Sequence, residues 1–134
     1  MSKFLRLAGL TILAVCVAAP VAADDAPQNP AEAYAQFHKS LRHSLSERTV
    51  LPYFTARALA EFEQKFPPQF RGKAVYLMKT ASPRQYQVVN SKIDGDSAAL
   101  TLQASDSGKV LAGTVDLKKE DGVWKVDQVI WQGR

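Results

Sequence analysis

The spacing of apolar residues along this chain changes once, near Gln85, and that change restricts the fold more than any other feature. Before Gln85, apolar residues recur every three or four positions; after it, they alternate. Tyr34, Phe37, His38, Leu41 and Leu45 form one stripe with Lys39, Arg42 and Glu47 lying off it, which predicts an amphipathic first helix of about four turns. Pro30 opens this helix at a position where its missing N–H costs nothing. The apolar connector Val50-Leu51-Pro52-Tyr53-Phe54 follows, kept out of a helix by Pro52. Thr55 then caps a second helix whose apolar face is Leu59, Phe62 and Phe66, and Pro67-Pro68 stops it. A third helix is expected from Gln69 to Lys79, with Phe70, Ala74, Leu77 and Met78 on one face. Gly72 weakens it and Pro83 ends it.

Past Gln85 the period is two. Ala98, Leu100, Leu102 and Ala104 alternate with Ala99, Thr101 and Gln103, and Leu111, Gly113, Val115 and Leu117 repeat the pattern. Asp94-Gly95-Asp96, Asp106-Ser107-Gly108 and Glu120-Asp121-Gly122 each supply a residue tolerant of positive φ for a tight hairpin. Four strands in an antiparallel meander result. The last strand, Val123 to Gln132, is apolar on both alternating faces, with Trp124 and Val126 on one and Val129 and Trp131 on the other. Either a bulge near Asp127 switches the faces or the strand is covered on both sides. Helices followed by an antiparallel sheet define an α+β plan, because neither layer can bury its apolar face alone.

Upstream of the domain, residues 1–23 read as a secretory signal peptide. Lys3 and Arg6 precede the apolar run Leu7 to Val17, Pro20 breaks it, and Val21-Ala22-Ala23 provides the small residues for cleavage between Ala23 and Asp24. The run is shorter than the roughly 20 residues of a membrane span. Lipid attachment through Cys16 is the less favoured alternative, since Val15 stands where that pattern needs a small residue. The expected location is the periplasm or the medium, with residues 24–29 as a flexible leader and 30–134 as a single domain. Removing residues 1–23 also removes Cys16, the sole cysteine, so no disulfide staples the domain. The charge balance falls from 17 basic against 13 acidic residues to 15 against 13, a net charge of +2. Without a basic cluster in the sequence, nucleic acid is excluded as a partner.

The chain resembles small secreted bacterial members of the nuclear transport factor 2-like superfamily, whose sheet forms a cystatin-like cone. The features that carry the resemblance are Pro30-Ala31-Glu32-Ala33-Tyr34-Ala35-Gln36-Phe37, Leu51-Pro52-Tyr53-Phe54-Thr55 and Asp121-Gly122-Val123-Trp124-Lys125-Val126. The resemblance implies a curved sheet wrapped around a long helix, often with a pocket at the mouth of the cone; with the four antiparallel strands read from this chain, the cone is expected to be shallower than that of the enzymes. Members of the superfamily include isomerases, dehydratases and polyketide cyclases as well as domains that only bind ligands or partners, so fold does not decide function.

Most chemistries lack the residues they need. His38 and His43 lie five apart on one helix, about 140° around its axis, so they cannot share a metal, and no metal or cofactor is expected. There is no Gly-x-Ser-x-Gly elbow, no cysteine in the secreted part and no glycine-rich phosphate loop. The favoured function is therefore a non-enzymatic binding module for a small apolar ligand or a protein partner. Tyr53, Tyr76 and Trp131 are its candidate binding residues, with Trp131 a docking residue if exposed. The alternative is an isomerase or dehydratase in which His38 is the general base and Tyr34 or Tyr53 the hydrogen-bond donor. The preferred reading of His38 is nonetheless a partly buried histidine that completes the helix stripe.

Overall fold

A computed structural model describes residues 29–43 and 46–133. The expected signal peptide with its Ala23–Asp24 cleavage point, Cys16, nearly all of the expected leader and Leu45 lie outside the described residues. Four helices come first: α1 (Pro30–His43), α2 (Glu47–Val50), α3 (Ala56–Lys65) and α4 (Arg71–Ala81). Four strands follow, β1 (Gln87–Asp94), β2 (Ser97–Asp106), β3 (Lys109–Glu120) and β4 (Val123–Gly133), antiparallel and in sequential order. The α+β plan holds: the helices pack against a curved four-stranded antiparallel sheet.

The ends of α1 follow from its sequence. Asn29 Oδ1 accepts the Glu32 N–H at 2.8 Å, so Asn29 is the cap and Pro30 takes the first helical position. Tyr34, Phe37 and Leu41 are buried from this helix, and His38 is 8% exposed. Thr55 caps α3 as its position suggests, its hydroxyl accepting the Ala58 N–H at 3.1 Å.

Two helical expectations need correction. The connector around Pro52 is helical after all, as α2 followed by a 3₁₀ turn over Leu51–Tyr53. Pro52 sits in the first turn of that short segment, where an N–H has no partner to lose. In α4 the buried face is Ala74 and Val75, with Met78 partly buried, whereas Phe70 and Leu77 are each 53% exposed. Phe70 belongs to a preceding 3₁₀ turn (Pro68–Phe70), which breaks the helical phase that linked it to Ala74.

The three hairpins occur where the turn residues predict them. Ser107-Gly108 and Asp121-Gly122 have positive φ at both central positions, which suits the right-handed twist of the strands they join. Strands β2 to β4 carry the core: Ala98, Leu100 and Leu102, then Val115 and Leu117, then Trp124 and Val126. Strand β1 is exposed at every position and forms one edge.

A bulge in β4 resolves the double-faced last strand. Asp116 pairs with Gln128 and Leu117 with Val126, so Asp127 is the extra residue. The bulge turns Val129 and Trp131 onto the face already used by Trp124 and Val126. Trp131 is therefore not on the opposite face. It is half-buried against the core and lies over Gly113, where a Cβ would come within 2.6 Å of its ring.

The bulged residue is held from the helical layer. Thr55 Oγ1 donates to Asp127 Oδ1 at 2.6 Å, Arg57 Nε reaches the same oxygen at 3.0 Å, and Arg57 Nη2 donates to the Asp127 carbonyl at 2.8 Å. The Thr55 N–H also donates to the Val126 carbonyl at 2.9 Å. Replacing Asp127 with Ala is expected to lower unfolding free energy by about 1–3 kcal/mol, as for hydrogen bonds to charged groups. Urea unfolding of the variant against the parent measures this, and equal midpoints would mean that the backbone holds the bulge unaided.

Candidate functional site

A cleft of about 520 Å³ opens between α3, α4 and the C-terminal half of β4. Its walls are aromatic and apolar, with Phe37, Phe54, Phe62, Phe66, Met78 and Trp131 the main contributors. Each arrives there for a local reason. Phe62 lies in the last turn of α3 and Phe66 caps its end, its N–H bonded to the Phe62 carbonyl and the two rings 5.1 Å apart. Phe37 and Phe54, 5.4 Å apart, bring α1 and the α3 approach together. Trp131 is delivered by the Asp127 bulge. Glu61 and Lys65 are exposed on the rim. The volume falls in the range of small-molecule pockets, about 300–1,000 Å³.

Two polar atoms at this end of the core are buried without a hydrogen bond, the Tyr34 hydroxyl and Trp131 Nε1. Burial pushes the Tyr34 pKa up, reinforced by neighbouring Tyr86 and opposed by the nearby Ser82 and Trp131 side chains. Ser82 and Trp131 thus approach the Tyr34 hydroxyl closely enough to favour its charged form, yet neither meets it in hydrogen-bonding geometry. Both also line the cleft. An unsatisfied buried donor costs about 1–3 kcal/mol, and native folds leave few of them without a partner such as a water or a ligand. Both groups lie behind the Ser82–Trp131 wall of the cleft, and Tyr34 itself does not line it.

The other candidate residues are dispersed. Tyr53 is half-buried, packs edge-on against Phe37 at 6.4 Å and borders a separate depression with Gln36, Ser40 and Thr49. Tyr76 is 53% exposed on α4 and borders none of the described cavities. His38 lies beside Tyr34 and Tyr86, with ring centroids 6.0 and 4.9 Å away, but it does not line the cleft. Its Nε2 is 2.8 Å from the Pro83 carbonyl, which can only accept, so Nε2 carries the proton. Among the described residues no group of three or more His, Asp or Glu could hold a metal, and no helix is long and apolar enough to cross a membrane.

On spacing alone Phe62 and Phe66 belong to one ordinary helix stripe and Met78 to another, and nothing in the sequence singles out Ser82. Their shared cleft is assembled from α3, α4 and β4. Only the bulge, visible as the apolar residues on both faces of β4, hinted at it.

No protein-family model matches the chain, and no curated protein is significantly similar to it. Solved structures are similar in fold. An NTF2-like protein of unknown function from Shewanella baltica OS155 has a TM-score of 0.52 at 16% identity, over 78% of this chain and 90% of that one. Another, from Cytophaga hutchinsonii ATCC 33406, has a TM-score of 0.46 at 12% identity, over 82% and 94%. A third, from Silicibacter pomeroyi DSS-3, has a TM-score of 0.38 at 15% identity, over 48% of this chain and 57% of its own length. This chain thus spans little more than half of the third. At such identities the likeness shows the fold alone, and the first comparison carries it: the domain has an NTF2-like α+β cone fold.

The His38 environment makes stability depend on pH. Burial lowers its pKa below the free value of 6.5, as do the charges of Arg42 and His43, while the Pro83 hydrogen bond works the other way. As pH falls, the unfolded chain therefore takes up a proton before the folded one. The stabilising contribution is complete above 6.5 and is lost as pH falls from there toward the folded pKa. Denaturant midpoints measured at about pH 7.5 and 5.5 should fall for the parent and hold more nearly constant for His38→Gln. The same drop in both proteins would assign it to other groups.

Proposed function

We propose that this chain is an exported, non-enzymatic binding module whose aromatic cleft takes a small apolar molecule bearing a carbonyl or similar oxygen acceptor. The observation that carries the reading is the pairing of an apolar cleft with the two unsatisfied buried groups, Tyr34 OH and Trp131 Nε1, next to its Ser82–Trp131 wall. Trp131 Nε1 can only donate, and Tyr34 stays neutral and able to donate, so an acceptor is the complementary group. The fold is compatible with isomerase chemistry as well as with binding. Binding is favoured because the imidazole that would serve as base is tied to Pro83 and lies off the cleft. Export rests on the charge, apolar run and small-residue exit of residues 1–23.

Two measurements test the parts separately. Titration with a medium-chain ketone such as 2-undecanone should shift tryptophan emission saturably. An alkane of equal length should bind more weakly by about tenfold, the worth of one hydrogen bond. Phe66→Ala should weaken the ketone while thermal unfolding remains cooperative. A response that is absent, or that ignores both the oxygen and Phe66, rejects the cleft. For export, the intact mass of the protein from the periplasmic or medium fraction should correspond to a chain starting at Asp24; a cytoplasmic chain retaining Met1 or Ser2 rejects it.

A further inference from the structure

A second concavity, of about 420 Å³, is lined by His38, Lys39, Arg42, His43 and Arg84, and shares none of its residues with the aromatic cleft. Every one of these side chains is basic. The sequence places four of the five on the last two turns of α1, where helical spacing pairs His38 with Arg42 and Lys39 with His43. The fifth comes from the segment after α4, and only the tertiary structure brings it there.

That segment is pinned to α1 by two basic side chains. His38 Nε2 donates to the Pro83 carbonyl at 2.8 Å. Arg42 Nη1 donates to the Lys79 carbonyl at 3.0 Å and lies 3.4 Å from that of Ser82, which also satisfies the end of α4. Pro83 is fully buried between these bonds, and Arg84 is held exposed at the edge of the pocket. The two pinning residues account for the packing. Lys39, His43 and Arg84 make no ion pair among the described residues. Carboxylates nearby are few: Glu32, in the first turn, is the only acid of α1, none occurs from Arg71 through Ile93, and Glu47, which opens α2, makes no ion pair with the pocket residues among the described residues.

We infer that this pocket binds a phosphate-type oxyanion, carried either by a soluble phosphorylated compound or by an anionic lipid headgroup. The guanidinium of Arg84 offers a planar fork of donors, and Lys39 supplies a mobile point charge, the two modes by which phosphate oxygens are held. Because the α1 contacts fix the backbone leading into Arg84, only its side chain remains to be ordered on binding.

The test is an NMR titration of the purified protein with inorganic phosphate at low ionic strength, followed on backbone amides. Saturable shifts are expected at Lys39, His43 and Arg84. The double variant Lys39→Gln/Arg84→Gln should bind at least about tenfold more weakly, the scale set by two charge-assisted hydrogen bonds. Both residues are exposed, so its thermal unfolding should match the parent's. Non-saturating shifts, or affinity unchanged in the double variant, would overturn the site. Sedimentation with phosphatidylglycerol vesicles, but not phosphatidylcholine vesicles, lost in the double variant, assigns the phosphate to a lipid. Phosphate binding with no sedimentation assigns it to a soluble compound. Vesicle binding that survives the double variant counts against the pocket as the headgroup site.

Discussion

The Asp127 carboxylate accepts hydrogen bonds from the Thr55 hydroxyl and the Arg57 guanidinium, and Arg57 also holds the Asp127 carbonyl. Thr55 is at the same time the cap of α3, and its N–H pairs with the Val126 carbonyl of β4. One small network therefore begins a helix, docks it on the sheet and stabilises a bulge. Burial by itself would raise the Asp127 pKa, but the Arg57 and Thr55 hydrogen bonds overcome that and hold it below the ordinary carboxylate value. The bulged residue stays charged, and able to accept these bonds, through the neutral range.

Everything at the cleft end depends on that bulge. Strict alternation would send Val129 and Trp131 outward, and the concave face would end at Val126. With one residue inserted, Trp131 returns to the core face, where Gly113 leaves room for its ring. The indole then closes the cleft beside Ser82 and brings Nε1 into the interior near the Tyr34 hydroxyl. The apolar walls and the unused donors are two consequences of the same backbone irregularity.

Much of this architecture was legible in the chain. The period change at Gln85 separated helices from sheet, because a stripe repeating every three or four residues and an alternating pattern cannot share one backbone geometry. The three hairpins were legible because positive φ is confined to very few residue types. The face of α4 was not. Phe70, Ala74, Leu77 and Met78 match a helical stripe on spacing alone, but a 3₁₀ turn detached Phe70, and contact with the rest of the core selected Ala74 and Val75 instead. Tyr53 and Tyr76 looked suited to a ligand because they are aromatic, yet aromatic content says nothing about which cavity a side chain borders.

By itself, then, the sequence determined the order of the three longer helices and the strands, the positions of the turns and of the Thr55 cap, and the fact that β4 needed either a bulge or two covers. These follow from local sterics and from the period of each element, which neighbours in the chain decide. Only the tertiary structure decided between bulge and double cover, placed Trp131 and Ser82 beside Tyr34, and set Arg84 against the basic end of α1. Such choices rest on contacts between residues far apart in the chain, whose burial and hydrogen bonding are settled only when the layers close on one another.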